Sequence, residues 1–151
     1  MKKFITICIC ILSMSSICLA SGRELKISAL GNTIDSSKGV FLDTDSSKVM
    51  APVRDLVKNL GANVEYLPAT EDRTAGFVVT YNDISIGMFE NSSRAYLMKN
   101  SNTKSVDIGI KVVNINSKNY VPVRFIAENL GYQVEWKNLD SHDLVEITQV
   151  N

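Results

Sequence analysis

His142 is the one imidazole in this 151-residue chain, and it sits in the run Leu139-Asp140-Ser141-His142-Asp143. An imidazole beside a hydroxyl and a carboxylate could act as the base of a nucleophilic triad. In this run, however, the three groups are immediate neighbours, and no glycine-flanked serine of the nucleophile-elbow kind accompanies them. The spacing predicts an exposed loop histidine. A second candidate, Asp43-Thr44-Asp45-Ser46-Ser47-Lys48, opens with oxygen ligands at alternate positions, as a calcium loop does. It then puts Lys48 where such a loop needs glycine and Arg54 where it needs a bidentate glutamate. A turn is expected there. No glycine spacing of the phosphate-cradling kind occurs. Asn91-Ser92-Ser93 has the form of a glycosylation sequon and implies no chemistry of the chain's own.

Two arginines carry more information because they recur. The segment Met50-Ala51-Pro52-Val53-Arg54-Asp55-Leu56-Val57-Lys58-Asn59-Leu60-Gly61-Ala62-Asn63-Val64-Glu65-Tyr66 returns seventy positions later. There it reads Tyr120-Val121-Pro122-Val123-Arg124-Phe125-Ile126-Ala127-Glu128-Asn129-Leu130-Gly131-Tyr132-Gln133-Val134-Glu135-Trp136. Eight of the seventeen positions are identical, and Ser47-Lys48 matches Ser117-Lys118 upstream. Such self-similarity at a fixed period marks a duplication. Arg54 and Arg124 each fall in the first turn of an expected helix, where the positive end of the macrodipole disfavours a cation. Each therefore needs an acceptor. The expectation is a structural bridge, with Glu65, Glu135 or Glu128 as candidates; the competing reading is a pair of related anion sites. Tyr66 and Trp136 hold equivalent strand positions and could stack on a sugar, but their spacing from Val64 and Val134 predicts core packing. Tyr132 follows the Gly131 cap without an aromatic counterpart, and is expected to be the more exposed ring.

The elements that must position these groups follow from the pattern. Pro52 and Pro122 suit the first helical position, where the missing N–H costs nothing. Gly61 and Gly131 suit left-handed caps. Between them Val53, Leu56, Val57 and Leu60 fall at i, i+3, i+4 and i+7, as do Val123, Ile126, Ala127 and Leu130. Val64-Glu65-Tyr66 and Val134-Glu135-Trp136 then alternate as half-buried strands. Short β-prone runs lie at 25–29, 40–43, 77–81, 84–88, 95–98, 110–115 and 144–148, with Asn82-Asp83 as a hairpin turn and polar connections at 90–93 and 99–105. The expected fold class is α+β: an antiparallel β-sheet packed on two short helices, built from a duplicated β-α-β-β unit. Residues 24–150 form one folding unit with repeats at about 25–80 and 95–150, because a single copy buries too little surface to stand alone.

The second copy, Val121-Pro122-Val123-Arg124 through Leu130-Gly131 to Val134-Glu135-Trp136, resembles the signature of the copper amine oxidase N-terminal-like domain, or stalk domain. The first copy matches it more loosely. The resemblance covers nearly all of the chain after residue 20 and includes Val106-Asp107-Ile108 and the Asn116-Ser117 turn. It implies antiparallel sheet wrapped around helix, on exported and cell-surface proteins, chiefly of Gram-positive bacteria. It does not imply the oxidase. Copper amine oxidases bind copper through three histidines and make a quinone from tyrosine in an Asn-Tyr-Asp/Glu motif. Here there is one histidine, and Asn119-Tyr120 continues into Val121-Pro122. One imidazole cannot hold such a copper site.

The first twenty residues read as a secretory signal: basic Lys2-Lys3, an apolar run over 4–12, and small residues before a cut between Ala20 and Ser21. The run is too short to span a bilayer. Isoleucine precedes each cysteine (Cys8, Cys10 and Cys18), which does not fit lipid attachment. All three cysteines lie in this segment, so the mature chain holds no disulfide and no thiolate metal site. Removing Lys2 and Lys3 from a chain with 16 basic and 16 acidic side chains leaves a slight acidic excess, which excludes an electrostatic grip on nucleic acid or on an anionic membrane. The last residues up to Asn151 show no hydrophobic run, and a second anchor is not expected. The functional expectation is an exported, non-catalytic binding or spacer module at the cell envelope, secreted or surface-associated, without cofactor. Its partner would be a wall polysaccharide or a surface protein; its oligomeric state is open. The alternatives are a small secreted hydrolase using carboxylates, or an inhibitor or assembly partner working through an exposed sheet edge.

Overall fold

The computed structural model describes residues 22–150; the expected signal segment, with its cysteines and the expected cut between Ala20 and Ser21, lies outside the described residues. The alternation Leu25-Lys26-Ile27-Ser28-Ala29 forms β1 (Glu24–Ala29), with Leu25, Ile27 and Ala29 turned into the core. A two-residue turn at Leu30-Gly31, both left-handed, returns the chain as β2 (Asn32–Asp35). A short 3-10 turn (Ser36–Lys38) leads to β3 (Phe41–Asp43) and β4 (Lys48–Pro52), followed by α1 (Val53–Asn59). A meander follows: β5 (Asn63–Leu67), β6 (Gly76–Tyr81), β7 (Ile84–Phe89), β8 (Arg94–Lys99) and β9 (Asn102–Asp107). The chain then forms β10 (Val113–Ile115), β11 (Lys118–Pro122), α2 (Val123–Asn129), β12 (Tyr132–Asn138) and β13 (His142–Gln149).

These strands make three sheets, in the orders β12-β13-β1-β2, β10-β11-β4-β3 and β5-β6-β7-β8-β9. Among the paired strands only β1 and β13 run parallel. The α+β class and the two short helices agree with the sequence pattern; a single antiparallel sheet does not, because the hairpins on either side of each helix enter different sheets. Four strands escape the sequence pattern. β4 and β11 end in proline, and β2 and β9 are polar. β9, expected as part of a connection over 99–105, is an exposed edge strand held by its ladder to β8 and by the left-handed turn Asn100-Ser101.

Pro52 and Pro122 end the preceding strands and stand one residue before the first helical residues, Val53 and Val123, rather than at the first helical position as expected. The prolines' locked φ of −58° and −66° closes the preceding strand and starts the helix. Gly61 (φ 72°) and Gly131 (φ 92°) supply the left-handed residue after each helix, as expected. Seven residues are too few for a helix to persist alone, so burial of one face holds each in place. Val53, Leu56, Val57 and Leu60, and likewise Val123, Ile126, Ala127 and Leu130, are all buried. Helix α1 packs on β11 as well as on β5 and β4, and α2 packs on β4 as well as on β12 and β11. Each helix therefore leans on the strand that precedes the other. At the centre β4 and β11 run antiparallel with Ala51 opposite Val121, Met50 opposite Pro122, and Pro52 opposite Tyr120.

Candidate functional site

Arg54 and Arg124 are the second residues of α1 and α2, and the structure gives them different partners. Arg124 Nη1 donates to Glu128 Oε1 (3.0 Å), one turn along the same helix, and to the Val134 carbonyl (3.1 Å) on β12. Glu128 was the expected acceptor that serves. Glu135 instead accepts from Gln133 Nε2, and Glu65 is in no ion pair among the described residues. Arg54 is in none either; its guanidinium lies 5.2 Å from the centroid of the Tyr66 ring. The structural bridge expected at each arginine forms at Arg124 alone, and there on the surface: the Arg124 and Glu128 side chains are 58% and 48% exposed. Water hydrates a cation at a surface helix end, so no buried partner is required.

Two clefts form around these arginines. The first, about 450 Å³, runs between the start of α2 and the β3–β4 turn, with Arg124, Phe125, Glu128 and Trp136 on one side and Ser46, Lys48 and Asp107 on the other. The second, about 350 Å³, has Arg54, Asp55 and Tyr66 on one side and Ser117, Lys118 and Asn119 on the other. Shifted by seventy positions, Arg54, Tyr66, Ser117 and Lys118 become Arg124, Trp136, Ser47 and Lys48. Each cleft thus joins one helix to the hairpin turn preceding the other helix. A third, shallower cleft of about 520 Å³, lined by Arg23, Phe41, Leu42 and Asp143, abuts the first at Trp136, which lines both.

Tyr66 and Trp136 are 42% and 43% exposed, against the expectation of core packing. Both strands run past the margin of the core before these residues, so the alternation that points Val134 inward points Trp136 over open cleft. Tyr132 reverses the other way: it is buried, and its hydroxyl donates to the Leu60 carbonyl at 2.7 Å, at the end of α1. Its phenol pKa is pushed up to about 12, first by burial and then by the neighbouring Tyr81 hydroxyl.

The remaining sequence candidates hold no chemistry. Ser141 Oγ is 2.9 Å from His142 Nδ1, but the Asp143 carboxylate pairs with Arg23 Nε at 3.1 Å, and His142 begins β13 rather than lying in a loop. Asp43 Oδ2 accepts from the Ser46 amide (2.8 Å) and hydroxyl (2.5 Å), closing the β3–β4 hairpin as a turn. The Ser46 hydroxyl, and then its amide, hold the Asp43 carboxyl below its usual range. Among the described residues no three His, Cys, Asp or Glu side chains gather as metal ligands. The donor set therefore does not fit the copper of an amine oxidase.

Sequence reasoning missed Lys48, Lys118 and Phe125 as cleft residues. The Ser47-Lys48 and Ser117-Lys118 match was visible but carried only the repeat register. That each turn faces the opposite helix needs the β4–β11 pairing, which spacing alone does not give. No curated protein and no solved structure matches the chain. The sequence profile of the copper amine oxidase N-terminal domain matches residues 28–142.

Proposed function

We propose that this chain, which belongs to the copper amine oxidase N-terminal domain family, works as an exported binding module at the bacterial cell envelope. The domain of this family is a non-catalytic module. Its ligand in this case is a wall polysaccharide or a surface protein, and the export segment is removed between Ala20 and Ser21. The observation that carries the binding reading is Trp136: the sole tryptophan stands 43% exposed as the wall of a cleft of about 450 Å³. A large ring at the wall of a concave site supplies the broad apolar contact face that ligand sites use. The two carboxylates lining that cleft, Asp107 and Glu128, already hold structural partners. Asp107 Oδ1 accepts from the Gly109 amide at 2.8 Å, and Glu128 is held by Arg124. That weighs against a hydrolase using them.

The module also reads as two fused copies of one β-α-β-β unit. Three observations support this. Ala51 opposes its own seventy-residue mate Val121 at the centre of the middle sheet, as a twofold relation between copies requires. The left-handed turns Leu30-Gly31 and Asn100-Ser101 are seventy apart, each followed by Asn-Thr. The hairpin β1–β2 joins the sheet of β12–β13, while β8–β9 joins the sheet of β5–β6. Each copy's leading hairpin thus completes the other copy's sheet.

The reading is tested by expressing the full chain, taking the intact mass of the supernatant product, and incubating that product with purified cell wall. A chain starting at Ser21 and depleted from solution by the wall is expected. A full-length, membrane-retained product, or a mature protein that stays in solution, overturns it.

A further inference from the structure

Resting on the reading of the chain as a binding module, we propose that the Trp136 cleft is a site for an uncharged glycan, held open by the Glu128–Arg124 pair, and that its twin at Tyr66 is closed by Arg54.

The two clefts are built from matching residues, yet their arginines point to different ends. Arg54 stacks on the face of Tyr66 at 5.2 Å. No cation stacks on Trp136 among the described residues; Arg124 reaches Glu128 and the Val134 carbonyl instead. The difference traces to one position. Four residues after Arg124 stands Glu128, whereas four residues after Arg54 stands Lys58. At i and i+4 on a helix, opposite charges attract and like charges repel. Lys58 therefore turns Arg54 away from the helix surface and onto the nearest π face, a favourable place for a guanidinium. Glu128 draws Arg124 back along the helix and leaves the indole uncovered.

The uncovered ring also stands between two concavities, the cleft of about 450 Å³ and the neighbouring one of about 520 Å³. An extended oligomer can thus cross it with successive units on either side. A pyranose presents an apolar C–H face that stacks on an indole, and a rim of hydroxyls that both donate and accept. The rim of the first cleft offers both functions in balance: Lys48 and Arg124 as donors, Asp107 and Glu128 as acceptors. The neighbouring third cleft adds Arg23 against Glu24 and Asp143. With carboxylates equal to or exceeding cations, neither cleft favours an anionic polymer.

The secreted form is titrated with β-1,4-linked tetra-N-acetylglucosamine and with cellotetraose as neutral probes, and with polygalacturonate as the charged comparison. Trp136 emission is the direct readout, since no other tryptophan contributes. At least one neutral probe should shift or quench the emission. By calorimetry Trp136→Ala should weaken that probe about tenfold or more, as central aromatic anchors do, with an unchanged unfolding midpoint. Glu128→Lys, on an exposed site, should also weaken binding by freeing Arg124 to cover the indole. The proposal is overturned if neither neutral probe alters the emission up to about 10 mM, where even weak contacts register. It is equally overturned if polygalacturonate binds better than both, or if Trp136→Ala binds as wild type. Wall depletion separates this from the broader reading. Equal depletion of wild type and Trp136→Ala leaves a wall-binding module with the wrong site. Loss of capture after protease treatment of the wall identifies a protein partner and refutes the glycan.

Discussion

Replacing Tyr132 by Phe removes one oxygen and leaves the ring. The hydroxyl donates to the Leu60 carbonyl at 2.7 Å, joining the start of β12 to the end of α1 across 72 residues of sequence. Leu60 is itself 1% exposed, so its carbonyl has little access to water once the donor is gone. A neutral hydrogen bond contributes about 1 kcal/mol net, and an orphaned buried carbonyl raises the loss to about 1–2 kcal/mol. No cavity term enters, because the ring still packs 5.8 Å from Tyr81. For a domain of this size the unfolding temperature should fall by about 3–6 °C. Urea unfolding followed by far-UV circular dichroism measures the cost. The pH dependence gives a second check. The Tyr132 pKa is pushed up to about 12 in the folded chain, by burial first and Tyr81 second. The stability tied to its un-ionised form is therefore complete below the unfolded value of about 10 and is lost as pH climbs from there towards 12. Tyr132→Phe has nothing to ionise, so the gap between the two proteins should narrow over that range. A cost below about 0.3 kcal/mol, or a gap that stays constant to the top of the range, would refute the buried bridge.

Three further outcomes follow from the same contacts. Arg124→Ala and Arg54→Ala should each cost only about 0–1 kcal/mol in urea unfolding, because the pair at Arg124 is exposed and Arg54 only overlies a half-exposed ring. Gly76→Ala should cost about 1–3 kcal/mol or more, since the added Cβ would lie 2.5 Å from the Met88 carbonyl, which is backbone and cannot swing aside. The Asp43 carboxyl is held low by the Ser46 hydroxyl, so its contribution is present above the ordinary carboxylate range and lost as pH falls through the lowered value. Asp43→Asn should therefore flatten part of the acid limb of a thermal-shift profile.

What the sequence made legible was local. The apolar stripe from Val53 to Leu60 and its twin at Val123–Leu130, the glycines after each helix, and the strands with strict alternation are all where the pattern puts them. These features depend on neighbours within one or two turns. Tyr132 and Trp136 were misjudged because alternation assigns a face but not where the core ends. One ring meets α1 from the other half of the chain, and the other overhangs a cleft. The polar strand β9 was hidden because its order comes from backbone pairing to β8, not from burial. The cleft itself required the antiparallel meeting of β4 and β11, a contact between residues seventy apart. The arginine pair was legible as a repeat, but its divergence was not: Lys58 and Glu128 matter only once the aromatic partners are in place.

The claim that this module binds through the Trp136 cleft is tested most directly by a nitrogen–proton correlation spectrum of the chain from Ser21 onward, recorded with soluble fragments of purified cell wall. The spectrum holds one indole N–H resonance. Binding at the cleft should move that resonance together with the amides of Ser46, Lys48, Arg124 and Phe125, which line it. An unmoved indole resonance at saturating fragment, or shifts confined to the exposed Tyr96 and Met98 face of β8, would contradict it.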